Sequence, residues 1–236
     1  MFGFDPLYFL LLAPALLLGL WAQFRVKSAF ARGSEIPASG GMTGAEAARR
    51  ILLANGLQRV QIEPAHGYLG DHYDPRAKVL RLSPEVYHGR SVASVGVAAH
   101  EAGHAIQDAA HYGPLKLRNG IVPLASTGSQ LAWILFFIGL VFSTRYFGQV
   151  MMLLGIGLFS TVVLFQLVNL PVEFDASRRA RQVLVANGIV SGHEDAEVGR
   201  VLNAAALTYV AATLTAIMTL VYLLIRSGLL GGGRRE

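Results

Sequence analysis

Four stretches of this chain carry no Asp, Glu, Lys or Arg and are long enough to cross a lipid bilayer. They run from about Pro6 to Phe24, Asn119 to Thr144, Tyr146 to Val172 and Val201 to Ile225. Roughly 20 apolar residues span a hydrocarbon core as a helix. In lipid, only a helix or a closed barrel satisfies its own backbone. The chain therefore reads as a mainly α integral membrane protein with four transmembrane helices. Composition agrees, with 53% of residues hydrophobic and only 15% charged, below the charged share of soluble domains. The first stretch has Asp5 where a signal peptide would be basic, and Arg25 and Lys27 follow it. It reads as a retained anchor with the N-terminus outside.

The longest polar region, about Arg25 to Arg118, lies between the first two spans. Thr43-Gly-Ala-Glu46 is a capping box. It opens a helix that Asn55-Gly56 should stop. Val60 to Glu63 and Lys78 to Ser83 alternate as strands do, and Gly70 to Pro75 between them is turn-like. Ser83-Pro84 opens a short helical turn, and Ser91 should cap the helix after it. The expected order is helix, hairpin, helix. Spans two and three form a tight hairpin around Arg145. A second polar segment, about Glu173 to Arg200, holds a stop at Asn187-Gly188 and a possible capping box at Ser191-Gly-His-Glu194.

The helix capped by Ser91 carries His100-Glu101-Ala102-Gly103-His104. Histidines four apart lie one above the other on one helical face, so both imidazoles can reach one Zn²⁺ at about 2.0–2.1 Å. Glu101 is placed to reach a metal-bound water as a general base. The flanks, Val97-Ala-Ala before and Ala105-Ile106 after, are apolar. Polar groups in such a buried helix are costly without partners. Ordinary hydrogen bonding, or a metal site without catalysis, are the competing readings.

A catalytic zinc usually takes three protein ligands and one open position. His111 follows His104 by seven residues, one more than the metzincin pattern needs, and Gln107 stands where that pattern has glycine. Glu173, in Leu170-Pro-Val-Glu-Phe-Asp-Ala-Ser177, is the better third ligand. His100 precedes span two and Glu173 follows span three, so two crossings return the chain to the starting face. Pro171 suits a helix start there. Asp175, two residues on, points elsewhere. Glu194 and Glu197 are weaker alternatives, and Glu173 could instead pair with Arg178 or Arg179.

With these residues in place, the chain resembles the YugP-type neutral zinc metallopeptidases, a bacterial membrane family. The resemblance is carried by Asp5-Pro-Leu-Tyr8, Thr43 to Arg50, Asp71-His-Tyr-Asp-Pro-Arg76 and Val79 to Pro84. It continues through Gly96 to Gln107, Pro114 to Arg118 and Leu170 to Ser177. More distantly the chain is similar to the HtpX-like membrane proteases. The resemblance implies zinc held by His100, His104 and Glu173, with Glu101 as base, in a small α+β gluzincin-like domain at the membrane surface. The HtpX-like likeness implies an aspartate four residues after the ligand glutamate, where this chain has Ser177. Asp175 could replace it only on an irregular helix.

The expected division is an anchor at 1–24, a protease region at 25–118 and a transmembrane hairpin at 119–172. A helix with the third ligand at 173–200 and a last span with tail at 201–236 follow. The substrates expected are polypeptides or membrane proteins. The segment Tyr68 to Tyr73 reads as an edge strand able to pair with extended peptide, with His72 and Tyr73 as substrate-binding residues. His72, His193, Arg178 and Tyr209 are candidate oxyanion donors.

The net charge of +5 fits cytoplasmic loops touching anionic headgroups, and no nucleic-acid motif is present. With no Cys, thiolate metal sites and disulfides are excluded. Arg25, Lys27, Arg32, Lys116, Arg118, Arg178, Arg179 and Arg181 favour a cytoplasmic site. Arg226, Arg234 and Arg235 argue the other way. The competing functions are an intramembrane protease and a non-catalytic membrane scaffold or adaptor with a structural zinc. The spans hold no ionisable acid or base, which disfavours a transporter.

Overall fold

The computed structural model describes residues 5–65 and 70–230. Tyr68, Arg234 and Arg235 lie outside the described residues. In chain order the elements are α1 (Pro6–Ser34), α2 (Gly44–Ala54), β1 (Gln61–Pro64), β2 (His72–Asp74) and β3 (Val79–Leu82). They continue with α3 (Pro84–His88), α4 (Val92–Ala109), α5 (Gly113–Val141), α6 (Tyr146–Ala186) and α7 (Gly192–Arg226). The protein is mainly helical, and α1, α5, α6 and α7 are each long and apolar enough to cross a membrane.

The chain divides into two units. One comprises Met1–Trp21, Leu117–Leu170 and Thr208–Glu236. Its helices turn large apolar side chains outward, among them Leu10, Leu131, Ile134, Leu153 and Leu164. An outward apolar face of this kind suits lipid rather than water. Inside, Phe136, Ile156, Phe159 and Leu223 pack together. Glycine permits close helix approach here: a Cβ on Gly155 would stand 2.7 Å from the Ala132 carbonyl oxygen.

The second unit comprises Ala22–Lys116 and Pro171–Leu207. Its core is centred on α4, whose Val92, Val95, Ala98, Ala99 and Ala102 are buried against Ile51 and Leu52, Leu80 and Leu82, Leu184, and Val198. Small residues on several faces let one helix be surrounded. Each large aliphatic side chain buried there contributes about 1.5–3 kcal/mol. The capping box of α2 forms, with Glu46 N donating to Thr43 Oγ1 and Thr43 N donating to Glu46. Ser91 caps α4 through Ser94 N. The helix stops expected at Asn-Gly are present, with Gly56 and Gly188 at φ of 73° and 62°, a region open to glycine without steric cost. Ser191 and Glu194 also form their reciprocal box, and Glu194 accepts from Ser39 N and Oγ as well.

Two expectations are corrected. First, β1 and β3 do not make a hairpin. They pair in parallel, Ile62 beside Leu80, and the segment expected to be a turn contains β2, antiparallel to β3 with Tyr73 beside Leu80. The sheet order is β1-β3-β2. Parallel strands need a connection longer than a tight turn, and the 14 residues between β1 and β3 supply one that includes β2. Second, no helix starts at Pro171, which lies inside α6. Proline forfeits one backbone hydrogen bond. The buried stripe Val172, Ala176, Ala180 and Leu184 continues the helix past it.

Candidate metal centre

The Ser91 cap and the buried face of α4 fix the helix that presents His100 and His104. Their rings lie 4.8 Å apart, centroid to centroid, nearly perpendicular. Because α6 runs unbroken past Pro171, its next turn brings Glu173 to them. Glu173 Oε2 stands 3.3 Å from His100 Nε2 and 3.6 Å from His104 Nε2. Ligand atoms on a tetrahedral zinc, each about 2.0–2.1 Å from the ion, are about 3.3 Å apart. Glu173 therefore stands from each imidazole near the spacing a zinc ion requires, and the three ligand atoms, all within 4.8 Å of one another, can hold a metal ion. The approach depends on Gly103, which meets the α6 backbone at Ala176.

The outer nitrogens of both rings are engaged. His100 Nδ1 is 3.1 Å from Ser177 Oγ, so the residue standing in place of the implied aspartate makes that contact itself. His104 Nδ1 is 3.0 Å from Gln107 Oε1. Gln107 Nε2 donates to the Val172 carbonyl at 2.8 Å and to Asp175 Oδ2 at 2.9 Å. Asp175 thus serves the other histidine, through Gln107, on a regular helix. Arg178 and Arg179 pair with Asp175 and not with Glu173. Sequence reasoning missed Gln107. Its spacing of three from His104 on one helical face was the available signal.

Glu101 lies between the ligands and is 8% exposed. Burial pushes its carboxyl up to about 7. The charges of Glu173 and Asp71 act in the same direction, and those of His100 and His72 oppose them. Asp71, which accepts from Ser83 N and Oγ, is likewise raised, mainly by burial.

The other sequence candidates fall as follows. His111 lies beyond the end of α4 with φ of 55°, outside the metal-competent group. Glu194 caps α7, and Glu197 pairs with Arg200. His72 and Tyr73 sit on β2, an outer strand of the sheet that packs against α4. His72 Nδ1 is 2.8 Å from the Gly70 carbonyl oxygen, with Arg81 3.4 Å from Nε2. Tyr73 Oη donates to Asp108 at 2.8 Å, and Lys78 pairs with the same carboxylate oxygen. His193 is exposed, and Tyr209 belongs to the other unit.

Residues 8–228 match the family described as "Putative neutral zinc metallopeptidase". The chain is 50% identical over 215 residues to the "Putative membrane protease YugP" of Bacillus subtilis (strain 168), covering 91% of this chain and 93% of that protein. No solved structure matches it.

Proposed function

This chain belongs to the neutral zinc metallopeptidase family, and we propose that it is a membrane-embedded zinc endopeptidase that hydrolyses peptide bonds with Glu101 as general base. The observation that carries this reading is the convergence of His100, His104 and Glu173 into one group able to hold a metal ion, with Glu101 beside His100 on the same helix and its carboxyl raised by burial to about 7.

His100, His104 and Glu173 would hold the metal in a gluzincin-like arrangement, two ligands from one helix and the third from a later one. Bound there, zinc supplies Lewis acidity and lowers the pKa of its water toward ~7. Glu101 takes the proton from the attacking water and delivers it to the leaving amine. A base whose own pKa lies near neutrality suits both transfers. Extended polypeptide, soluble or from a membrane protein, pairs with the outer edge of β2 through backbone hydrogen bonds, beside His72 and Tyr73. The four apolar helices cross the cell membrane, and the Arg and Lys residues flanking the spans next to the site support a cytoplasmic location for it.

The test is Glu101→Gln in detergent-purified protein. The variant should keep its zinc and lose about 10²–10⁴-fold in cleavage of an unfolded polypeptide. Full activity in that variant would overturn the assignment of the base.

A further inference from the structure

The metal-facing lone pair of His104 is set by a chain of acceptors that begins outside the ligand group. Gln107 is fully buried, and its amide touches three groups: the Val172 carbonyl, the Asp175 carboxylate and His104 Nδ1. A backbone carbonyl can only accept hydrogen bonds. The Val172 carbonyl must therefore face the amide nitrogen, and Asp175 Oδ2 lies on that same side. Turning the amide over would set its oxygen against that carbonyl and leave the nitrogen facing the ring. Arg178 and Arg179 pair with Asp175, Arg179 Nε at 2.5 Å from its Oδ2.

With the amide orientation fixed, Gln107 Oε1 faces His104 Nδ1 and accepts from it. In the neutral ring that nitrogen then carries the proton, which leaves Nε2 bare and directed at the group shared with His100 and Glu173. We propose that Gln107 and Asp175 are positioning residues that lock His104 into its metal-binding tautomer through the acceptor chain Asp175–Gln107–His104. The proposal rests on the metal-site reading above. His100 lacks such a lock from its partner, because the Ser177 hydroxyl can either donate or accept. The two histidines are thus unequal: His104 is preset, and His100 is adjustable.

The tautomer can be read directly. In the full chain in detergent, stripped of metal and labelled with ¹⁵N at histidine, the His104 signals (assigned with His104→Gln) should show the proton on Nδ1. In Gln107→Met, which preserves length but cannot accept, protonated Nε2 should appear. Zinc affinity, measured by chelator competition, should fall about 10–100-fold. A wild-type His104 protonated on Nε2 overturns the proposal without needing any variant to fold. So does a folded Gln107→Met that binds zinc as tightly as wild type. A wild type that binds no zinc removes the metallopeptidase reading instead, and the ¹⁵N result still decides the tautomer.

Discussion

Gly103 of α4 and Ala176 of α6 meet backbone to backbone: a Cβ on Gly103 would stand 2.7 Å from the Ala176 carbonyl oxygen. Gly103 lies within the metal-helix motif, one residue before His104, and Ala176 lies three residues after Glu173. The same contact therefore fixes how close the third ligand can come to the two histidines.

Gly103→Ala tests this contact. In an exposed helix the change would stabilise by about 1 kcal/mol. Here the methyl group has no room, and overpacking should reverse the sign, costing about 1–3 kcal/mol. Thermal unfolding should show a lower Tm, and chelator competition a weaker zinc site. A raised Tm with unchanged affinity would mean that the helices are free to separate.

Glu101 gives a pH signature in the metal-free protein. Its folded pKa, about 7, lies above the ordinary 4.5, so the folded state holds this proton more tightly than the unfolded chain. Its contribution is fully present below about pH 4.5 and is lost as pH rises through 7, by up to about 3 kcal/mol. Glu101→Gln removes that loss. The metal-free variant should unfold at a higher temperature than wild type at pH 8 and at a similar one at pH 4. Equal Tm values at both pH values would show that the carboxyl is not raised.

Tyr73 ties the outer strand β2 to the C-terminal end of the metal helix through Asp108. Tyr73→Phe removes that hydrogen bond and should cost about 1.5–3 kcal/mol, the range for bonds to charged groups. If β2 receives substrate, KM for polypeptide cleavage should rise more than kcat falls. A drop in kcat alone would place substrate elsewhere.

Much of this site was legible because its signals are local. The His100–His104 spacing, the Ser91 cap and both capping boxes depend on residues within one or two helical turns, and each is present in the fold. Glu173 could be read because the two crossings between it and His100 are marked by long uncharged stretches. The parallel pairing of β1 with β3 was not legible. Three- and four-residue strands carry almost no periodicity, and their partners are chosen by tertiary packing. Pro171 misled as a boundary because its local preference is outweighed by the buried stripe of α6. Gln107 reads as an ordinary polar helix residue until the α4–α6 contact supplies its partners, Val172 and Asp175.

The central claim is that two imidazoles of α4 and one carboxylate of α6 bind a single zinc ion. Zinc content per chain, measured on detergent-purified wild type, His104→Ala and Glu173→Ala after identical dialysis, tests it most directly. The account predicts about one zinc per chain in the wild type and little or none in either variant. A Glu173→Ala protein that retains the full wild-type zinc content would contradict it.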